Sequence, residues 1–142
     1  LDVKGASCPM PVVKTKSAID DLGIETVHRE VTYATTDSPG SSLVVGLSGE
    51  GVRAGFDAVG ERGTPAEDVA RQVLSDVESF RESGAAVDAR LADQLLVVLA
   101  LAGGRVAVPH LTDHVETNLA VFDAFGYDVS VEPGAIPVLD GD

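Results

Sequence analysis

The sequence predicts an α/β fold: a two-layer sandwich whose mixed sheet carries its helices mainly on one face. Three observations predict it. Segments rich in β-branched residues take turns with segments of helical period, in the order β-α-β-β-β-α-α-β-α-β. Hydrophobic residues make up 44% of the chain, enough for a packed core. Glycines, prolines and short polar residues stand where such elements should start and stop.

Residues 1–4 read as a short strand. Residues 9–22 read as a helix, with Pro9 in its first turn and Gly23 as its stop. Residues 25–35 are rich in Thr, Val and Tyr and partly alternating, hence a strand. Asp37-Ser-Pro-Gly40 is a turn. Residues 42–47 and 52–58 pair as two strands closed by Gly49-Glu-Gly51.

Thr64-Pro-Ala-Glu67 starts the next helix, with Thr64 as cap, Pro65 at the first helical position and Glu67 reaching back. It runs to about residue 82, with Val69, Val73, Val77 and Phe80 on one face and Gly84 at the exit. Asp88 caps a further helix, residues 89–102, stopped by Gly103-Gly104. Its body, residues 95–101, is almost wholly apolar and should be buried. Residues 105–108 form a short strand. Residues 115–125 form a helix with Leu119 and Phe122 turned inward. Residues 127–131 form another strand, and Val138 adds a short edge. There is no internal repeat and no low-complexity tract.

The chain has 142 residues and a net charge of -13, from 10 Lys+Arg against 23 Asp+Glu. That length suits one domain, or a domain with a fragment of another. Bulk charge therefore disfavours nucleic acid, though it leaves room for a local phosphate site. One cysteine excludes a disulfide framework and a cysteine-rich zinc site. No apolar run reaches the roughly 20 residues of a membrane span. The opening Leu-Asp-Val-Lys has no signal-peptide core, so a reducing, cytoplasmic setting is expected.

Charge is unevenly spread. Lys4, Lys14 and Lys16 are the only lysines, and every later cation is Arg. Two sequence styles meet near residue 17. The acidic, lysine-free remainder resembles proteins of salt-loving organisms, where a dense acidic surface keeps its solvation.

The chemistry centres on His114, in His114-Val-Glu-Thr-Asn118 at the mouth of the last helix. A helix N-terminus has unsatisfied N–H groups and partial positive charge, which welcome a phosphate and favour a neutral, nucleophilic imidazole. Asp113 and Glu116 oppose the second effect by favouring imidazolium. Thr117 and Asn118 can orient the ring or hold phosphate oxygens. The plain alternative is a surface histidine with Asp113 as N-cap. Asp93 and Gln94 stand on the first turns of the apolar helix, where they can bind a nucleotide or simply be solvated.

Two weaker patterns are set aside. Gly49-x-Gly51-x-x-Ala54 matches a dinucleotide fingerprint, but residues 56–63 read as strand and turn instead of the required helix. His110 and His114 are four apart, but Pro109 and a loop spoil that spacing, so no metal site is expected.

Five stretches together resemble the C-terminal part of RNA 3'-terminal phosphate cyclase, over residues 17–134. They are Asp37-Ser-Pro-Gly-Ser41, Gly60-Glu-Arg-Gly63-Thr-Pro-Ala-Glu67, Ser83-Gly-Ala-Ala-Val-Asp88, Leu91-Ala-Asp-Gln-Leu95 and His114-Val-Glu-Thr-Asn118. The resemblance implies that His114 attacks the α-phosphate of ATP and becomes adenylylated. AMP then passes to an RNA 3'-phosphate, and the 2'-hydroxyl displaces it to leave a 2',3'-cyclic phosphate. It implies Asp93, Gln94 and Asn118 as nucleotide-binding residues, and ATP with a divalent cation, magnesium, as the cofactor. The family often has an aromatic or His at the position of Arg90. Its enzyme is more than twice this length, and the Gly-rich and Arg-rich N-terminal half that holds ATP phosphates and RNA has no counterpart here. The RNA 3'-phosphate end is thus a partner only if the missing half is supplied, and low activity is expected of the chain alone.

Residues 1–20 resemble something else. Leu1-Asp-Val-Lys-Gly-Ala-Ser-Cys8-Pro-Met-Pro11 looks like the opening strand and helix of the TusA/SirA-like sulfur-carrier family, marked by Cys-Pro-x-Pro. A thiol at a helix N-terminus has its thiolate favoured, and in that family the cysteine carries a persulfide. Cys8 is thus a candidate thiol site. The expected organisation is a sulfur-carrier-like start, residues 1–20, folded as one unit with a cyclase-like region, residues 17–142. Three function classes follow: an AMP-transferring cyclase region, a sulfur-relay carrier using Cys8, and a noncatalytic chimeric α/β module.

Overall fold

A computed structural model of the chain describes residues 10–25, 28–35, 37 and 40–141, with the side chains of residues 10–14 and 16 outside that description. The elements in order are α1 (Met10–Asp21), β1 (Ser41–Gly49), β2 (Val52–Gly60), α2 (Ala66–Ser83), α3 (Ala89–Ala102), β3 (Gly104–Ala107), α4 (Asp113–Ala124), β4 (Val129–Glu132) and β5 (Val138–Gly141). The class is α/β, with the strands in two small sheets, β1-β2 and β3-β5-β4.

The chain forms two compact units. One holds α1, the outer parts of β1 and β2, and α2 as far as Glu78. Its buried apolar residues are Ile19, Leu43, Ala58, Val69, Ala70, Val73 and Val77. The α2 residues among them recur every three or four positions, the stripe that an amphipathic helix presents to a core. Hairpin and helix meet at Gly60, where a Cβ would come 2.5 Å from Ser41 Oγ and 2.8 Å from a Val69 methyl.

The other unit runs from Gly46 to Gly55 and from Ser79 onward. Its sheet is antiparallel, with Val106 opposite Leu139 on one side and Val131 opposite Leu139 on the other. Alternation sends Val106, Leu139, Val129 and Val131 to one face, where they join Ala92, Leu96 and Leu99 of α3 and Val115, Leu119 and Phe122 of α4 in a single core. Both helices therefore cover the same face. The opposite face carries Arg105, which pairs with Glu132 and, at 3.4 Å, with Asp140. The hairpin tip joins this unit by a parallel bridge between Arg53 and Val87. Ala86 links the two sheets, accepting from the Arg53 N–H at 2.8 Å and donating to the Ala107 carbonyl at 2.9 Å.

The hairpin closes as expected through Gly51, whose φ of +70° is a left-handed conformation that favours glycine. The strand that follows it, with the turn at residues 61–63, stands where the dinucleotide fingerprint would need a helix.

Three expectations are corrected. The strand expected at residues 25–35 is absent from its described part: residues 28–35 are exposed and in no ladder. β-branched residues favour strands by fitting a half-buried pleated surface, and these side chains have none to fit. Val138 opens the central strand of its sheet, not an edge: β5 pairs on both sides, and Leu139 is fully buried. The apolar body of α3 is buried on one side only. Leu96 and Leu99 face the core, whereas Val97, Val98 and Leu101 are 51%, 52% and 68% exposed. The strand expected at residues 1–4 lies outside the described residues.

Candidate active site

Helix α4 begins one residue from the cap expected for it. Thr112, not Asp113, is the N-cap: its Oγ1 accepts from the Val115 N–H at 3.2 Å, and its carbonyl accepts the first helical bond, from the Glu116 N–H at 3.0 Å. Asp113 and Glu116 lie in the first turn instead, where carboxylates complement the dipole. Replacing Thr112 by alanine removes the cap and is expected to cost about 1 kcal/mol, read from chemical denaturation.

His114 is therefore the second residue of α4, and it is exposed. Among the described residues its ring makes no hydrogen bond, so the imidazole is available to a ligand from solvent. Four residues on, Asn118 occupies the same helical side, one turn further in. Its Nδ2 donates to Asp93 Oδ1 at 2.7 Å, in a partly buried setting. Asp93 is the fifth residue of α3 and Asn118 the sixth of α4. The bond therefore ties the two helices within about two turns of both N-termini.

The start of α3 is itself fixed by Asp88, which is buried. Its Oδ1 accepts from the N–H groups of Arg90 and Leu91, each at 2.9 Å. Its Oδ2 accepts from the Gly55 N–H at 2.9 Å. One carboxylate thus caps α3 and holds the hairpin tip, a second duty that the sequence did not reveal.

Of the residues expected at the site, the structure brings Asp93 and Asn118 into contact and sets His114 one turn away. Gln94 and Arg90 are exposed on the first turns of α3. Thr117 commits its hydroxyl proton to its own helix, donating to the Asp113 carbonyl at 2.7 Å. His110 precedes α4 and shares no helical face with His114. Cys8 lies outside the described residues.

Residues 13–80 match the family model described as RNA 3'-terminal phosphate cyclase (RTC), insert domain. The chain is 42% identical over 103 residues to an RNA 3'-terminal phosphate cyclase of Halobacterium salinarum, covering 72% of this chain and 30% of that protein. It is 36% identical over 114 residues to one of Pyrococcus furiosus, covering 79% and 33%. It is 39% identical over 106 residues to one of Pseudomonas aeruginosa, covering 73% and 31%. These alignments are too long for residues 13–80 and the few residues before them, so the similarity continues past Phe80 into the unit that holds α3. The chain spans about a third of the length of these curated relatives. Over roughly three-quarters of its own residues, then, it is similar to a portion of RNA 3'-terminal phosphate cyclase.

Proposed function

We propose that the chain is an RNA 3'-terminal phosphate cyclase-like region that carries the enzyme's nucleophile, His114, and part of its nucleotide site. The observation that carries this reading is the exposed imidazole on the first turn of α4, one turn from an Asn118 bonded to Asp93. The similarity to named cyclases on both sides of Phe80 supports it.

In this reading a ring nitrogen of His114 attacks the α-phosphorus of ATP. A P–N bond forms, the bond to the β-phosphate breaks and pyrophosphate leaves, while the ring's remaining N–H proton passes to water. An oxygen of an RNA 3'-phosphate then attacks the same phosphorus and breaks the P–N bond, and the leaving ring takes a proton back from water. The neighbouring 2'-hydroxyl attacks the RNA phosphorus, loses its proton and expels AMP, leaving the 2',3'-cyclic phosphate. The positive end of the α4 dipole, beside His114, favours the phosphates, and Asp93, Gln94 and Asn118 serve the nucleotide. ATP comes with a divalent cation, magnesium, which offsets phosphate charge against a chain of net charge -13. The reaction belongs to the cytoplasm.

Phosphoryl transfer depends mostly on positioned charge. The described cations near the site are few, with Arg90 the one on the first turn of α3. The chain alone should therefore adenylylate slowly and turn over RNA poorly. Incubation with ATP labelled at the α-phosphate tests the reading. Label should join the protein as an acid-labile, alkali-stable phosphoramidate, and His114→Asn should abolish it. Retention of label in that variant contradicts the reading.

A further inference from the structure

We propose that Asn118 is a positioning residue that acts through Asp93; this rests on the cyclase reading above. A carboxylate only accepts, so the 2.7 Å contact with Asp93 Oδ1 fixes which end of the Asn118 amide is nitrogen. One Nδ2 hydrogen is committed to Asp93, and the amide oxygen is turned elsewhere. That oxygen would repel a phosphate, while the second Nδ2 hydrogen is left for solvent or a ligand.

The same bond decides what Asp93 can do. A solvated aspartate samples several rotamers, and each is an alternative to the one that a ligand needs. Asn118 ties Oδ1 from a neighbouring helix, 25 positions along the chain, in a partly buried setting where a charge-assisted bond is stronger than in water. Oδ2 is then held in one place. A carboxylate oxygen suits a hydroxyl or amine of the nucleoside, not a phosphate oxygen. Asn118 therefore sets how well Asp93 is presented to the nucleoside, while His114, one turn back on the same helix, meets the α-phosphate. The two parts of the nucleotide are gauged from one helix.

The test is the rate of His114 adenylylation by the full chain as ATP is varied. Asn118→Leu keeps the bulk and removes the donor. It should raise the half-saturating ATP concentration about tenfold and leave the maximal rate within about twofold of the parent's. Asp93→Ala, which removes the acceptor, should do the same, and the double variant should be no worse than the poorer single, because both lose one interaction. A mere loss of stability does not predict this split. Val131→Ala, in the sheet, should melt earlier yet saturate like the parent. Multiplying effects of the two single changes would overturn the proposal, as would a fall in maximal rate at unchanged saturation; either means that Asn118 touches the reacting phosphate. An absence of adenylylation in the unaltered chain overturns the cyclase reading and this proposal together. Adenylylation with multiplying effects overturns this proposal alone.

Discussion

Gly141→Ala is expected to destabilise the chain by about 3 kcal/mol, through steric conflict alone. The residue lies in β5, between Gly104 of β3 and Val129 of β4. A Cβ there would come 2.3 Å from the Leu99 carbonyl oxygen, 2.7 Å from its carbon and 3.1 Å from its Cβ. Neither side can easily yield. The Leu99 carbonyl accepts from the Gly103 N–H at 2.9 Å as part of the α3 C-cap, in which Gly103 has a left-handed φ of 71°. Moving β5 instead would break ladder bonds on two sides. Gly46→Ala is the matched control: its added Cβ meets nothing within 4 Å, so the change should fall within about 0.5 kcal/mol of the parent. Denaturant midpoints of the two variants check both statements. Equal stabilities would mean that β5 and α3 are not in contact.

Asp88→Ala is expected to cost a similar amount, about 3 kcal/mol, for another reason. Two N–H groups at the start of α3 lose their acceptor, which is worth about 1 kcal/mol. The Gly55 N–H also loses Oδ2, and leaving such a partly buried donor unmet costs about 1–3 kcal/mol. Asp88→Ser separates the two duties. Its hydroxyl can still cap α3 but does not reach both partners, so about half the loss should remain. Hydrogen exchange should then show faster exchange at Gly55 in both variants, and at Arg90 and Leu91 only in the alanine variant. A serine variant as unstable as the alanine one would show that capping matters little here.

The elements legible in the sequence are those whose signal is local. Val69, Val73, Val77 and Phe80 repeat at helical spacing, and all four are buried. Asp88 and Gly103 mark the ends of α3 through their own backbone and side-chain chemistry. Thr112 was missed because Asp113 beside it is an equally good capping type, and only φ and ψ decide between neighbours. Residues 28–35 have strand composition, but composition does not supply a partner strand. The central place of β5 is likewise set by pairing with two distant strands, which a four-residue segment does not announce.

The candidate site was legible to the same degree. His114, Asp93 and Asn118 could be named from short motifs. Their mutual placement could not, because Asp93 and Asn118 are joined across two helices and 25 positions. Hydrophobic period gives each helix an inner face and says nothing of its rotation against a neighbour's polar residues. The exposed side of α3 shows the reverse error. Uniform apolarity predicts burial all round, whereas the sheet and α4 cover only the side with Ala92, Leu96 and Leu99.

Where AMP goes decides whether His114 is the nucleophile. Tandem mass spectrometry of the chain after incubation with ATP and magnesium reads this directly. The expected result is a slowly accumulating adenylyl group on the peptide containing His114, mapped to that ring. Adenylylation at another residue, or an unmodified His114 under conditions that saturate the chain with nucleotide, would contradict it.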